Sequence, residues 1–83
     1  MSSSYKAAFL TFVRVLVDET TEAEPLTKAQ IRQRCAEMGY PVAVHAFDAH
    51  LRELRQAGII IKRRRTEDRN GVEYYYWYAV GWI

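Results

Sequence analysis

Two helical hydrophobic rhythms separated by only four residues, Gly39-Tyr40-Pro41-Val42, constrain this chain more than any other feature. On the near side, Leu26-Thr27-Lys28-Ala29-Gln30-Ile31 carries the marks of a helix start. Thr27 as N-cap can accept from the Gln30 backbone while the Gln30 side chain reaches back, and Leu26 and Ile31 stand where a hydrophobic staple places its pair. This pattern predicts a helix over about 28–38, with Ile31, Cys35 and Met38 inward. Gly39 supplies the left-handed stop and Pro41 prevents continuation. On the far side, Val44, Phe47, Leu51 and Leu54 recur at three- and four-residue steps, which predicts a helix over about 43–57 ended by Gly58. Two helices joined so tightly, with glycine in the turn, form a helix-turn-helix unit.

A third helix is predicted ahead of these, over about 4–17. Tyr5, Ala8, Phe9, Phe12, Val13 and Leu16 fall on one face. Leu10, Val15 and Val17 make the other side apolar as well, and a helix apolar on two sides is usually covered on two sides. The second cover is expected to be the C-terminal strand or a second copy of the chain. Leu10, Val15, Val17 and Trp82 are therefore the expected dimer surface. The acidic stretch Asp18–Pro25 reads as a solvated loop.

After Gly58 the pattern becomes strand-like. Ile59-Ile60-Ile61 is β-branched and runs into Lys62-Arg63-Arg64-Arg65. Asn70-Gly71 predicts a two-residue type I′ turn, whose central residues both need positive φ. Tyr74-Tyr75-Tyr76-Trp77-Tyr78 then returns, giving a hairpin over about 59–80.

Composition limits what such a chain can do. Its 83 residues suffice for one compact domain over 1–83, and leave no room for an elaborate catalytic pocket. Net charge is only +2, but bases and acids cancel over residues 1–41, so the surplus lies in the second half. Residues 52–65 hold six bases (Arg52, Arg55, Lys62, Arg63, Arg64, Arg65) against Glu53 alone. Clustering of this kind acts on phosphates within about 8–10 Å, the Debye length in physiological salt. The lone Cys35 cannot form an internal disulfide, which favours a reducing, cytoplasmic setting. No signal peptide or membrane span is expected. Cys35, His45, Asp48 and His50 lack metal-ligand spacing, and no phosphate loop, nucleophile elbow or paired carboxylates are present. Neither a metal, a cofactor nor enzymatic activity is expected.

Helix, capped helix, turn, helix and basic hairpin together resemble the winged helix-turn-helix family of small bacterial and phage DNA-binding regulators. The stretch Leu51-Arg52-Glu53-Leu54-Arg55-Gln56-Ala57-Gly58-Ile59-Ile60 is similar to that family's junction between third helix and wing. The resemblance implies an α+β winged-helix fold, with helix three in the major groove of duplex DNA and the hairpin as wing. The helix-three positions turned to the groove would be His45, Ala46, Asp48, Ala49 and Arg52, with Gln56 a turn further on. Two alanines and an aspartate read few base edges. Base contact then falls to Arg52 and Gln56, with His45 as a phosphate donor and Arg55 adding charge. The wing would contribute Lys62, Arg63, Arg64, Arg65 and Arg69. Alternation along a strand lets at most about half of these face one duplex, for a salt slope from the wing of roughly −2 to −3.

Blander readings compete with each of these. The arginine run could be a charged edge strand protected against aggregation. The tyrosine strand is expected to pack inward on one face and to support arginines by cation–π contact on the other; a stacking platform for unpaired bases is the alternative. Two functions follow: a repressor-like DNA-binding regulator acting as a homodimer, or a winged-helix module that binds a protein, such as an adaptor or a phage-type inhibitor. The second draws on the poor reading face of helix three and on a C-terminus rich in Tyr, Trp and Arg.

Overall fold

A computed structural model describes residues 3–82 of the chain, with side chains over 5–81. It is an α+β structure with the order α1 (Ser3–Glu19), β1 (Leu26–Thr27), α2 (Lys28–Glu37), α3 (Val44–Gln56), β2 (Ile59–Glu67) and β3 (Glu73–Trp82). The three strands form one antiparallel sheet in the order β1-β3-β2. No described helix is long and apolar enough to cross a membrane.

The helix starts and stops follow local chemistry. Thr27 Oγ1 accepts from the Gln30 N–H at 3.2 Å, and Gln30 Oε1 accepts from the Thr27 N–H at 2.9 Å, closing the capping box. At the other end of α2, the Tyr40 N–H donates to Cys35 O and the Gly39 N–H to Ala36 O, with Gly39 at φ 91°. That pairing is a Schellman stop, which needs a residue at ease in the left-handed region. Because α2 ends at Glu37, Met38 is its C-cap and lies exposed, not inward as its spacing suggested. Arg32 Nε donates to Val42 O at 2.8 Å and fastens the 38–43 connection to α2.

The core lies between the helices and one face of the sheet. Phe12, Leu16, Ile31, Cys35, Phe47, Leu51, Leu54, Ile59, Ile61 and Trp77 are its main members. Phe12 meets Phe47 edge-to-face at 5.3 Å, and Phe47 meets Trp77 at 5.8 Å, which links α1, α3 and β3 through three rings. Burial pushes the Cys35 thiol up to about 11, with Glu19 adding to the shift, so it stays a neutral core group.

Four expectations need correction. Val15 is fully buried, not part of an outer apolar face, because it sits one helical step of three from Phe12 on the same stripe. Leu10 and Val17 do remain outside, at 55 % and 42 % exposed, while the Trp82 side chain lies outside the described residues. The acidic loop begins later than its charge pattern suggested, since Asp18 and Glu19 belong to α1. Thr20 follows, buried: its Oγ1 donates to Leu16 O at 2.6 Å and accepts from the Ala79 N–H at 3.0 Å, tying the end of α1 to β3. β1 was not foreseen either. It pairs Leu26 with Trp77 and Thr27 with Tyr76.

The hairpin turn also differs from the expected type I′. Gly71 has φ 81° but no other residue outside glycine adopts positive φ among those described, so Asn70 is not left-handed. The Gly71 N–H donates to Asp68 O and the Asp68 N–H to Val72 O. This is a three-residue loop with glycine at the bulge position. Asp68 Oδ1 accepts from the N–H groups of Asn70 (2.8 Å) and Val72 (3.0 Å), an Asx arrangement that replaces the turn the dipeptide alone would make.

Candidate nucleic-acid interface

The side chain of Trp77 sets the geometry of the site. It stands on β3 opposite Arg63 of β2, on the face of the sheet that packs against Phe47 of α3. Strand alternation then puts Arg63 and Arg65 on the α3 side of β2, and Lys62 and Arg64 on the other side. Arg63 lies over the Tyr75 ring at 4.4 Å and over Trp77 at 5.4 Å. From α3, Arg55 approaches Trp77 at 5.9 Å and donates to Ile61 O at 3.4 Å.

Between α3 and the hairpin runs an open groove of about 520 Å³, lined by Asp48, Leu51, Arg52, Arg55, Gln56, Arg63 and Trp77. Four of the nine residues nominated for contact, Arg52, Arg55, Gln56 and Arg63, therefore meet in one place. The exposed stripe of α3 reaches it through Asp48, Arg52 and Gln56, spaced three and four residues apart. Arg52 is exposed and makes no ion pair among the described residues. Three guanidinium groups around one groove, two of them (Arg55 and Arg63) set against aromatic rings, suit bidentate capture of phosphate oxygens.

The other nominated residues lie elsewhere. His45 is exposed in the first turn of α3, outside the groove. Arg65 pairs with Glu73 at 3.4 Å farther along the hairpin. Lys62 and Arg64 occupy the opposite sheet face, where Arg64 donates to Glu22 O at 3.4 Å. Arg69 stands in the hairpin turn. Ala46, expected on the outward face of α3, packs against the core instead. Ala49 is half-buried.

Residues that sequence reading did not nominate complete the site. Lys28, in the first turn of α2, lies 5.1 Å from the Phe47 ring centroid and 3.9 Å from Asp48. The Lys28 charge opposes that of Asp48 toward a polyanion, and both groups stay on the surface. A second groove of about 440 Å³ opens here, lined by Thr27, Lys28, Ala29, Asp48, Glu73, Tyr74, Tyr75 and Trp77. It shares Asp48 and Trp77 with the cationic groove, and Tyr75 and Trp77 give it an aromatic side. Of the tyrosine strand, Trp77 and Tyr78 are buried while Tyr74 and Tyr75 are exposed. Only the strand register, which pairs Arg63 with Trp77 and Arg65 with Tyr75, could have linked these residues in advance.

No family model, curated protein or solved structure matches this chain.

Proposed function

We propose that the chain is a winged helix-turn-helix domain that binds duplex DNA as a small repressor-like regulator. In this reading α3 is the recognition helix and the β2–β3 hairpin is the wing. One observation carries it: Arg52 and Arg55 of α3 and Arg63 of the hairpin line a single open groove with Gln56 beside them. A polyanion lying along that groove meets helix and hairpin together, which is the arrangement the resemblance implies. Arg52, Arg55 and Arg63 hold phosphates, and Arg52 and Gln56 also have reach to base edges. Base discrimination is modest, because Asp48 and the alanines offer little to a major groove. A domain this small buries little DNA, so a homodimer on two half-sites is the functional unit, with exposed Leu10 and Val17 of α1 in its interface.

The test is duplex binding across a salt series. Each phosphate neutralised contributes about −0.9 to the slope of log affinity against log salt, so three groove arginines give roughly −2.7 per subunit. Binding that is absent at low salt, or flat across the series, removes the reading. The protein-binding alternative is favoured by one observation, the Lys28–Asp48 pair set between the two grooves, which is mixed in charge where a DNA surface is usually uniform. Capture of a protein from nuclease-treated lysate, together with absent duplex binding, selects it.

A further inference from the structure

The aromatic groove beside the cationic one is not used by a duplex lying along α3. Its chemistry differs from that of its neighbour: Tyr75 and Trp77, on the α3 face of β3, supply aromatic walls, and Lys28 and Thr27 supply polar groups at the α2 end. Tyr75 is 38 % exposed although Arg63 lies over its ring. A tyrosine needed only for packing would be covered, as Tyr78 is. A groove of about 440 Å³ is also large enough for a flat aromatic group of nucleobase size.

The groove's position says what would reach it. It joins the cationic groove across Trp77 and Asp48, so a strand whose phosphates lie along Arg52, Arg55 and Arg63 passes directly to it. Arg63 covers the Tyr75 ring at 4.4 Å from its centroid, which holds the ring in place and leaves it lining the groove. A cation stacked on an aromatic ring, with a base stacked against that ring or its neighbour, is the combination single-strand binding surfaces use. Lys28 at the far end is placed to meet the phosphate of the stacked nucleotide, at the cost of loosening its 3.9 Å pair with Asp48.

We infer that the groove walled by Tyr75 and Trp77 takes an unpaired nucleobase of a strand leaving the duplex bound along α3. The preferred ligand is then a duplex with a single-stranded extension or an opened end. The inference rests on the duplex-binding reading, and adds the class of nucleic acid to it.

The experiment compares three fluorescent probes at one salt concentration: a blunt duplex of about 20 base pairs, the same duplex with a tail of about six nucleotides, and the same tailed duplex with an abasic tail. The readout is the ratio of tailed to blunt affinity within one protein, which cancels any effect of a variant on duplex binding itself. The base-bearing tail is expected to tighten binding roughly tenfold, and the abasic tail by about twofold through its added phosphates. In Tyr75→Ala, whose ring is exposed on the α3 side of the hairpin, the base-bearing tail should fall to the abasic ratio, whereas Tyr74→Ala, on the opposite strand face, should keep the parent's ratio. Equal gains from the base-bearing and abasic tails overturn the inference while leaving duplex binding intact. So does an unchanged ratio in Tyr75→Ala. Failure of the blunt duplex to bind at low salt overturns the underlying reading instead, whatever the tails do.

Discussion

His50 Nδ1 lies 3.9 Å from Glu53 Oε1, beyond hydrogen-bond reach, and this buried nitrogen has no hydrogen-bond partner among the described residues. The imidazole is 3 % exposed and is ringed by Tyr5, Phe9 and Phe12 at 5.8, 5.3 and 5.2 Å. Glu53 itself accepts from the Tyr5 hydroxyl at 2.8 Å, so its carboxylate is engaged with α1. Burial holds the His50 pKa below its usual 6.5, and the Glu53 carboxylate opposes that shift only in part.

A pH dependence of stability follows. A histidine with lowered pKa is neutral in the fold while the unfolded chain binds a proton below pH 6.5. The unfolded state then holds more protons, so stability is full above that pH and falls as pH drops through it. Denaturant midpoints measured between about pH 7.5 and 5.5 should decline, and His50→Leu should remove His50's share of the decline. The same downward slope in His50→Leu would show that other groups are responsible.

What could be read from the sequence was local, and what could not was set by distant partners. The Thr27–Gln30 box and the Gly39 stop depend on residues within five positions, and both stand as expected. β1 is only two residues long and exists because Trp77 and Tyr76 lie beside it, so no window around Leu26 reveals it. Val15 was placed outside because a helix apolar all round does not show which stripe is covered first; Phe47 and His50 of α3, closing on Phe12, decide that. The arginine run was legible as charge, but its division into Arg63 toward α3 and Arg64 toward Glu22 is a matter of register. The groove could not be read at all without Trp77, which joins α3 to the hairpin.

α3 begins without a side-chain cap, since Ala43 is its N-cap at φ −67°, ψ 155°. That backbone already suits a capping hydroxyl, and Ala43 is exposed. Ala43→Ser should therefore stabilise the fold by about 0.5–1 kcal/mol, read as a rise in Tm of roughly 2–8 °C. A neutral or negative change would mean that the first turn of α3 is satisfied in another way.

Gly71 carries the hairpin turn at φ 81°, and a Cβ there would meet nothing within 4 Å. Gly71→Ala is then a test of backbone conformation alone, expected to cost about 1–2 kcal/mol. Asp68→Ala removes the two accepted N–H bonds and should loosen the same turn without changing its φ demand. Amide exchange should rise over residues 66–73 in both variants, while α2, which makes no hydrogen bond to the turn among the described residues, keeps its protection. Equal loss of protection in α2 would show that the hairpin and the helices unfold as one unit.

Leu10 and Val17 lie seven residues apart on one face of α1, with Val80, also exposed, next to Val17 at the adjoining strand. If they form the dimer contact of the proposed function, Leu10→Glu with Val17→Glu should yield a monomer by sedimentation while leaving the denaturation midpoint nearly unchanged, because neither side chain is in the core. Duplex affinity should drop with dimerisation, since the two half-sites no longer act together. An identical sedimentation coefficient in parent and variant excludes this face as the contact.

The two faces of the hairpin allow a last distinction. Arg52 and Arg55 line the groove, whereas Lys62 and Arg64 lie on the opposite strand face, so a duplex held along α3 meets the first pair and not the second. Arg52→Ala should weaken binding evenly across sequences that differ only outside its reach and lower the salt slope by about 0.9. Because Arg52 is exposed and makes no ion pair among the described residues, its loss should not disturb folding. Replacing Lys62 and Arg64 together should change the slope by less than Arg52→Ala alone, although it removes twice the charge. A larger effect from Lys62 and Arg64 would place the polyanion across the outer face of the sheet, beside Tyr76 and Glu22, and the groove between α3 and the hairpin would lose its assigned role.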